Sequence, residues 1–263
     1  MNLHVVHAHD ALFLFFTAFL AGTANSISGG GSFLSFPALL LTGVPPIQAN
    51  ATNTVAIWPG VVASTVGYRR EVGVHLRMIP LLTIVGMAGG LAGANILLKT
   101  PQATFLRLVP WLLLMGTLVF IYGVRVARWV RARTEHRPRV SAIARAVNVV
   151  LLLLISIYIG YFGAGVAILV AAVFALMGLE SMHAINGLRT YLVSVSNLVA
   201  IATFVVAGAI FWPQALVMVA GTAIGGYGGA YYARKMDPRR VRQVVIVIGF
   251  VMSAYFFYRV YGS

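Results

Sequence analysis

What most constrains this chain is the separation of its charges from its apolar residues. Apolar segments lie at about 11–28, 32–43, 47–67, 77–98 and 103–124, then at about 147–162, 166–178, 182–206, 213–233 and 241–258. They are interrupted by glycine-rich breaks and by three clusters of basic residues. A helix crosses the hydrocarbon with about 20 residues at about 1.5 Å each, which most of these segments supply. Only 9% of the 263 residues are charged and 60% are hydrophobic, whereas soluble domains carry about a quarter charged residues. Lipid must therefore be the solvent for much of the molecule. The absence of Cys excludes disulfide frameworks, thiolate metal sites and cysteine nucleophiles. The formal charge of +14 reads first as basic cytoplasmic loops rather than as a nucleic-acid surface. Residues Met1 to Asp10 hold three His but no Lys or Arg, so the first apolar segment lacks the cationic flank of a signal peptide and is expected to be retained.

The chain carries an internal duplication. Shifting it by 135 residues superposes Gly30 on Gly165, Gly43 on Gly178, Gly73 on Gly208, Gly86 on Gly221, Gly90 on Gly225 and Gly93 on Gly228. A period of this kind points to two structural repeats. The expected division is a first transmembrane repeat over 1–125, a basic cytoplasmic linker over 126–145 and a second transmembrane repeat over 146–263. The second apolar piece of each half, about a dozen residues, is too short to cross.

Charge decides the expected topology. The linker region carries Arg125, Arg128, Arg131, Arg133, Arg137, Arg139 and Arg145 against Glu135. Smaller basic clusters are Arg69, Arg70 and Arg77, and Arg234, Lys235, Arg239, Arg240 and Arg242. If the opening pair of segments in each half were one crossing, the last cluster would fall outside, against the positive-inside rule. If that pair is a hairpin entering and leaving on one side, all three clusters are cytoplasmic, and fifteen of nineteen Lys and Arg lie inside. Lys99, Arg107 and Arg259 then lie outside, and Arg189 falls within a span. The expected fold is an all-α polytopic membrane protein of two inverted-topology repeats. Each is a broken, re-entrant helical hairpin plus three transmembrane helices, with both termini on the outer face. Inverted repeats with discontinuous helices are a secondary-transporter architecture, although function has to be argued from the site.

The run Asn25, Ser26, Ile27, Ser28, Gly29, Gly30, Gly31, Ser32 breaks the first hairpin. Consecutive glycines are poor helix formers, and irregular backbone at membrane depth persists only where protein or a water-filled cavity satisfies it. A half-helix starting at Ser32 would aim its free N–H groups at the break and attract an anion. The second half has a sparser version in Gly163 and Gly165. Both breaks also admit a plainer role, letting helices approach closely. No Gly-Lys-Ser or Gly-Lys-Thr follows the glycines, which excludes a nucleotide P-loop.

Polar residues open the helix after each short piece: Gln48, Asn50, Thr52, Asn53 and Thr54, then Glu180, His183, Asn186, Arg189 and Thr190. Spacings of three and four put 50, 53 and 54 on one face, and 186, 189 and 190 on another. Arg189 lies about 12 Å along its helix, near half of a hydrocarbon core about 30 Å thick. A cation at that depth marks a substrate path or a buried partner. Its planar fork suits an oxyanion, and the competing role is pairing with carbonyls or snorkelling to the interface. Asn197 either lines the same cavity or joins two helices. His183 is the one His within a span and is the candidate for proton coupling; an interfacial histidine is its alternative. The remaining His residues are too scattered for a metal site, and no Ser, His and acid are grouped for nucleophilic catalysis. The other glycines, from Gly86 to Gly93 and from Gly221 to Gly229, read as packing surfaces.

The run Ala21-Gly22-Thr23-Ala24-Asn25-Ser26-Ile27-Ser28-Gly29-Gly30-Gly31, with Phe36-Pro37-Ala38-Leu39-Leu40, Gly43-Val44-Pro45-Pro46, Ala51-Thr52-Asn53 and Tyr68-Arg69-Arg70, resembles the TauE/SafE sulfite exporter family. Asn186-Gly187-Leu188-Arg189-Thr190, Asn197, Trp212-Pro213 and Gly225-Gly226-Tyr227-Gly228-Gly229-Ala230 extend the resemblance over about residues 10 to 258. It implies a bacterial inner-membrane permease that exports sulfite or an organosulfonate such as sulfoacetate. The combined expectation is a carrier without catalysis or cofactor, working by alternating access. Its substrate site is expected at Arg189, Asn186, Asn53, Thr52, Asn25, Ser28, Gly29, Gly30, Gly31, Ser32, Asn197, Gly163 and Gly165. Its partners are a small anion and the lipid bilayer, with a homodimer admitted and nucleic acid excluded. An anion channel, a membrane-embedded enzyme and a signalling scaffold are the alternatives.

Overall fold

A computed structural model describes residues 7–134, 142–179, 181–232 and 238–262. They form eleven α-helices: α1 (Ala8–Ser28), α2 (Ser32–Leu41), α3 (Pro46–Gly67), α4 (Arg69–Val74), α5 (Ile79–Lys99), α6 (Gln102–Thr134), α7 (Ala142–Tyr161), α8 (Val166–Leu176), α9 (Met182–Val206), α10 (Trp212–Tyr232) and α11 (Pro238–Tyr261). A 3-10 turn, Leu76–Met78, joins α4 to α5, and no strand occurs among the described residues. Among the described residues five helices are long and apolar enough to cross a membrane, and α2 and α8 are the short apolar ones. Leu12, Phe16, Ile84, Leu216 and Val247 are exposed, apolar surface of a kind that calls for lipid rather than water.

The two short helices are set off by backbone chemistry legible in the sequence. Helix α1 stops at Gly29, whose φ of 80° is left-handed and whose N–H bonds back to the carbonyls of Ala24 and Asn25. Gly43 and Gly178, 135 residues apart, act alike: each follows the end of a short helix with positive φ, 80° and 85°. Only glycine adopts that conformation cheaply. The expected short pieces at 32–43 and 166–178 are thus helices with glycine stops.

Two elements were not expected. The basic loop after α3 contains a helix of its own, α4, and α6 runs for 33 residues. At about 1.5 Å per residue α6 is about 50 Å long, well beyond the hydrocarbon. Its apolar portion ends at Gly123, so Arg125, Arg128, Arg131 and Arg133 continue a helix. Arg137, Arg139 and Glu135 lie outside the described residues, as do Glu180, Arg234, Lys235 and Asp237.

The chain forms two compact units, and each draws on both sequence halves. The first contains residues 1–60, 97–117 and 204–263. In it α1 packs on α10, where Gly22 lies against Thr222 and Gly226, and Gly225 against the backbone of Phe19. Small residues let these backbones approach. The Thr23 hydroxyl then donates to the Gly225 carbonyl at 2.9 Å, and the Thr222 hydroxyl to the Ala56 carbonyl at 2.7 Å. Trp111 packs edge-on against Phe257 at 4.9 Å, tying α6 to α11.

The second unit contains residues 61–96 and 118–203. Its core gathers Leu82, Val85, Leu152, Phe174, Leu188 and Leu192. Helix α5 meets α7 through Gly89 and Gly93, and meets α9 through Gly86 and Gly90. Thr83 and the Tyr191 hydroxyl share a hydrogen bond of 2.7 Å, and Thr65 and Ser194 one of 3.0 Å.

Candidate functional site

In the second unit, the start of α9 is fixed by Ser181, whose hydroxyl and carbonyl accept from the amides of Ala184 and Ile185. A serine there satisfies amides that the first turn leaves open. Arg189 follows seven residues after Met182, partly buried. Among the described residues the one ion pair is His9–Asp10, and the Arg189 guanidinium makes no hydrogen bond. Tyr68, which follows α3, packs on the same helix. Tyr68 is seated on Gly187, where a Cβ would lie 3.2 Å from the Tyr68 Cβ and from Val72 Cγ2. Its ring also faces His183 at 6.4 Å between centroids. His183 itself is exposed, as an interfacial position requires.

Asn186 is partly buried one turn before Arg189. Thr190 spends its hydroxyl on the carbonyls of Asn186 and Gly187, at 3.0 Å each. Asn197 is buried two turns further along. At the break between α7 and α8, Gly163 and Gly165 both have positive φ, 74° and 75°, and the Tyr158 hydroxyl donates to the Ala164 carbonyl at 2.8 Å. That phenol holds the break in shape.

The first unit contains the other expected residues. Gly31 sits against the Ala21 carbonyl and the Cβ of Asn25, so only a glycine lets α2 fold back this tightly on α1. Among the described residues Phe33 is the first residue after the break whose amide finds an acceptor, the Gly30 carbonyl at 3.2 Å. Among the described residues the amides of Gly31 and Ser32 find no acceptor, the usual state of a helix N-terminus. Asn53, buried on α3, is brought to this break by Ser35, whose hydroxyl donates to its side-chain oxygen. Thr52 is otherwise engaged: its hydroxyl accepts from the Phe211 amide at 3.0 Å, just before α10. The side chain of Ser28 lies outside the described residues.

Arg189, Asn186, Asn197, His183, Gly163 and Gly165 thus belong to one compact unit, and Asn25, the Gly29–Ser32 break, Asn53 and Thr52 to the other. Sequence reasoning missed Ser35 as the partner of Asn53 and Tyr68 as a packing neighbour of α9. Ser35 lies three residues after Ser32 on α2, a spacing that could have been noticed. Nothing local distinguishes Tyr68, because its neighbours come from a segment more than a hundred residues away. Among the described residues no group of three or more His, Asp or Glu is placed to hold a metal.

Helices long and apolar enough to span, together with the short apolar α2 and α8, define a multi-pass helical membrane protein. Residues 14–256 match the family model for the sulfite exporter TauE/SafE, and the chain belongs to that family. A probable membrane transporter protein of Haemophilus influenzae is 28% identical over 242 residues, 92% of each chain. One from Sinorhizobium is 27% identical over 250 residues, covering 93% of this chain and 91% of the relative. The probable membrane transporter YfcA of Escherichia coli K12 is 27% identical over 251 residues, 95% and 90%. No solved structure matches significantly. The protein is a multi-pass membrane transporter.

Proposed function

We propose that this chain exports a small sulfur-containing oxyanion, sulfite or an organosulfonate, by alternating access. The observation that carries the reading is Arg189, a partly buried guanidinium without an ion-pair partner among the described residues. A cation held in a span against its desolvation cost is explained by a ligand that pairs with it. Guanidinium is the side chain that matches a planar or pyramidal oxyanion with two parallel hydrogen bonds. Asn186, one turn away, adds a neutral donor suited to the same ligand. In the first unit the open amides of α2, with Asn53 beside them through Ser35, make a second anion-attracting patch. Export of one negative charge down an inside-negative potential gains about 2.3 kcal/mol per 100 mV, so outward movement needs no coupling ion. His183 remains the place to look for proton coupling. The test is uptake of radiolabelled sulfite and sulfoacetate into proteoliposomes under an imposed potential. Saturable uptake that follows the potential is expected; linear, channel-like flux would contradict a carrier.

The inverted repeat and the inner-membrane location belong to the same proposal. Both termini lie on the outer face, because only that arrangement gathers the three basic clusters inside. A periplasmic alkaline phosphatase fused after Ser263 is therefore expected to be active, and a green fluorescent fusion there to be dark. The opposite pair of signals would sink the inverted arrangement.

A further inference from the structure

Resting on the anion-export reading, we infer that the break between α1 and α2 is an oxyanion site of neutral donors, in which Ser35 is the positioning residue. By fixing the Asn53 amide, Ser35 gives the site a preference for proton-free oxyanions such as a sulfonate. All of its parts belong to the first unit. Helix α2 starts without a capping side chain, because its N-cap is Gly31. Gly30 and Gly31 are buried, and among the described residues the amides of Gly30, Gly31 and Ser32 find no acceptor. Buried amides are nearly always paired, and successive open ones at a helix N-terminus attract an anion.

An open helix terminus does not define a ligand, and the independent observation is Asn53. It is 2% exposed on α3. The Ser35 hydroxyl lies 2.5 Å from its Oδ1 and 3.1 Å from the Gly31 carbonyl oxygen, which places Asn53 at the start of α2. The shorter distance is an oxygen–oxygen spacing, below the range of about 2.7–3.2 Å for N–H···O bonds. Asn53 therefore turns Oδ1 to Ser35 and keeps Nδ2 for another partner. Among the described residues that Nδ2 has none, although a buried amide ordinarily spends its donors. Asn25 stands on the other side: a Cβ at Gly31 would lie 3.1 Å from the Asn25 Cβ. Its side chain, partly buried, can turn an NH2 to the same ligand.

The fixed acceptors at the break are already spent. The Gly30 carbonyl accepts from Phe33, the Gly31 carbonyl from Leu34 and Ser35, and the Asn53 Oδ1 from Ser35. A sulfonate or a sulfite dianion brings only acceptors and complements what remains. Hydrogenphosphate also carries an O–H, and a donor set against donors is penalised.

The test is thermal melting of the purified full-length protein titrated with sodium methanesulfonate or sodium phosphate, which reads binding as stabilisation. Wild type, Asn53→Asp, Ser35→Ala and Arg189→Ala are compared. The wild type is expected to be stabilised saturably by methanesulfonate, and less by phosphate at equal concentration. Asn53→Asp keeps the shape but replaces the donor with a like charge, and should raise the apparent Kd about tenfold or more. Ser35→Ala frees the amide to turn its oxygen outward. It should raise the apparent Kd about threefold to tenfold and narrow the preference over phosphate. A serine that merely braced α2 against α3 would lower the melting temperature and leave that preference unchanged. Wild-type affinity and preference in both variants would overturn the inference, and so would a wild type that no oxyanion stabilises. Stabilisation lost in Arg189→Ala but kept in the other two variants would also overturn it, while leaving the Arg189 reading in place. Should Asn53→Asp fail to fold, Ser35→Ala, which removes a single oxygen, decides.

Discussion

Arg189→Ala is expected to lower transport of the anion by about a hundredfold, the effect of removing one partner from a desolvated charged pair. The same substitution is expected to leave the melting temperature unchanged or higher. These two outcomes belong together. A structural arginine at this depth would be paired, and its loss would strand a buried carboxylate or carbonyl at a cost in stability. Arg189 has no ion-pair partner among the described residues, and a bound anion would offset its desolvation cost. Arg189→Lys keeps the charge but not the planar fork, and should fall between wild type and alanine. Initial rates in proteoliposomes and thermal melting in detergent provide the two readings. A melting temperature that drops along with transport would make Arg189 a structural residue and remove the site.

The second large effect concerns stability. Gly225→Val is expected to prevent the first unit from packing. A Cβ at that position meets the carbonyl oxygen, carbonyl carbon and Cα of Phe19, all backbone atoms that cannot rotate away. Helices α1 and α10 would have to separate, breaking the Thr23 hydrogen bond to the Gly225 carbonyl as they do so. Overpacking a fitted interface costs about 1–3 kcal/mol for small insertions, and a branched side chain at a backbone contact exceeds that range. Gly67→Ala is the control, since its Cβ would meet nothing within 4 Å. Melting of both purified variants should show a large loss for Gly225→Val and none for Gly67→Ala. Equal melting would refute the close contact of α1 with α10.

The local features of the fold were legible because their causes are local. Helix α9 begins at Met182 and ends at Val206, matching its apolar segment, since hydropathy and flanking polar residues act along the chain. The short α2 and α8 follow from glycines that need left-handed backbone at Gly29, Gly43, Gly163, Gly165 and Gly178. Arg189 stood out because a charge inside an apolar run is visible without any neighbour. The roles of Thr52 and Tyr68 were not legible. Thr52 bonds to the amide of Phe211 and Tyr68 sits on Gly187, partners 159 and 119 positions away in the chain.

By itself, the sequence determined a membrane-embedded helical protein with glycine-stopped short helices and a cation, Arg189, inside an apolar run. All of these depend on solvation by lipid and on single-residue backbone preferences. Only the tertiary structure decided that α10 packs on α1 and α5 on α7, so that each compact unit draws on both halves of the sequence. It also decided that the tyrosine after α3 is seated on Gly187 of α9. The physical reason is that apolar side chains are equally at home against lipid and against another helix. Helix pairing in a bilayer is chosen instead by where glycines allow backbones to touch and where a few hydroxyls find distant carbonyls.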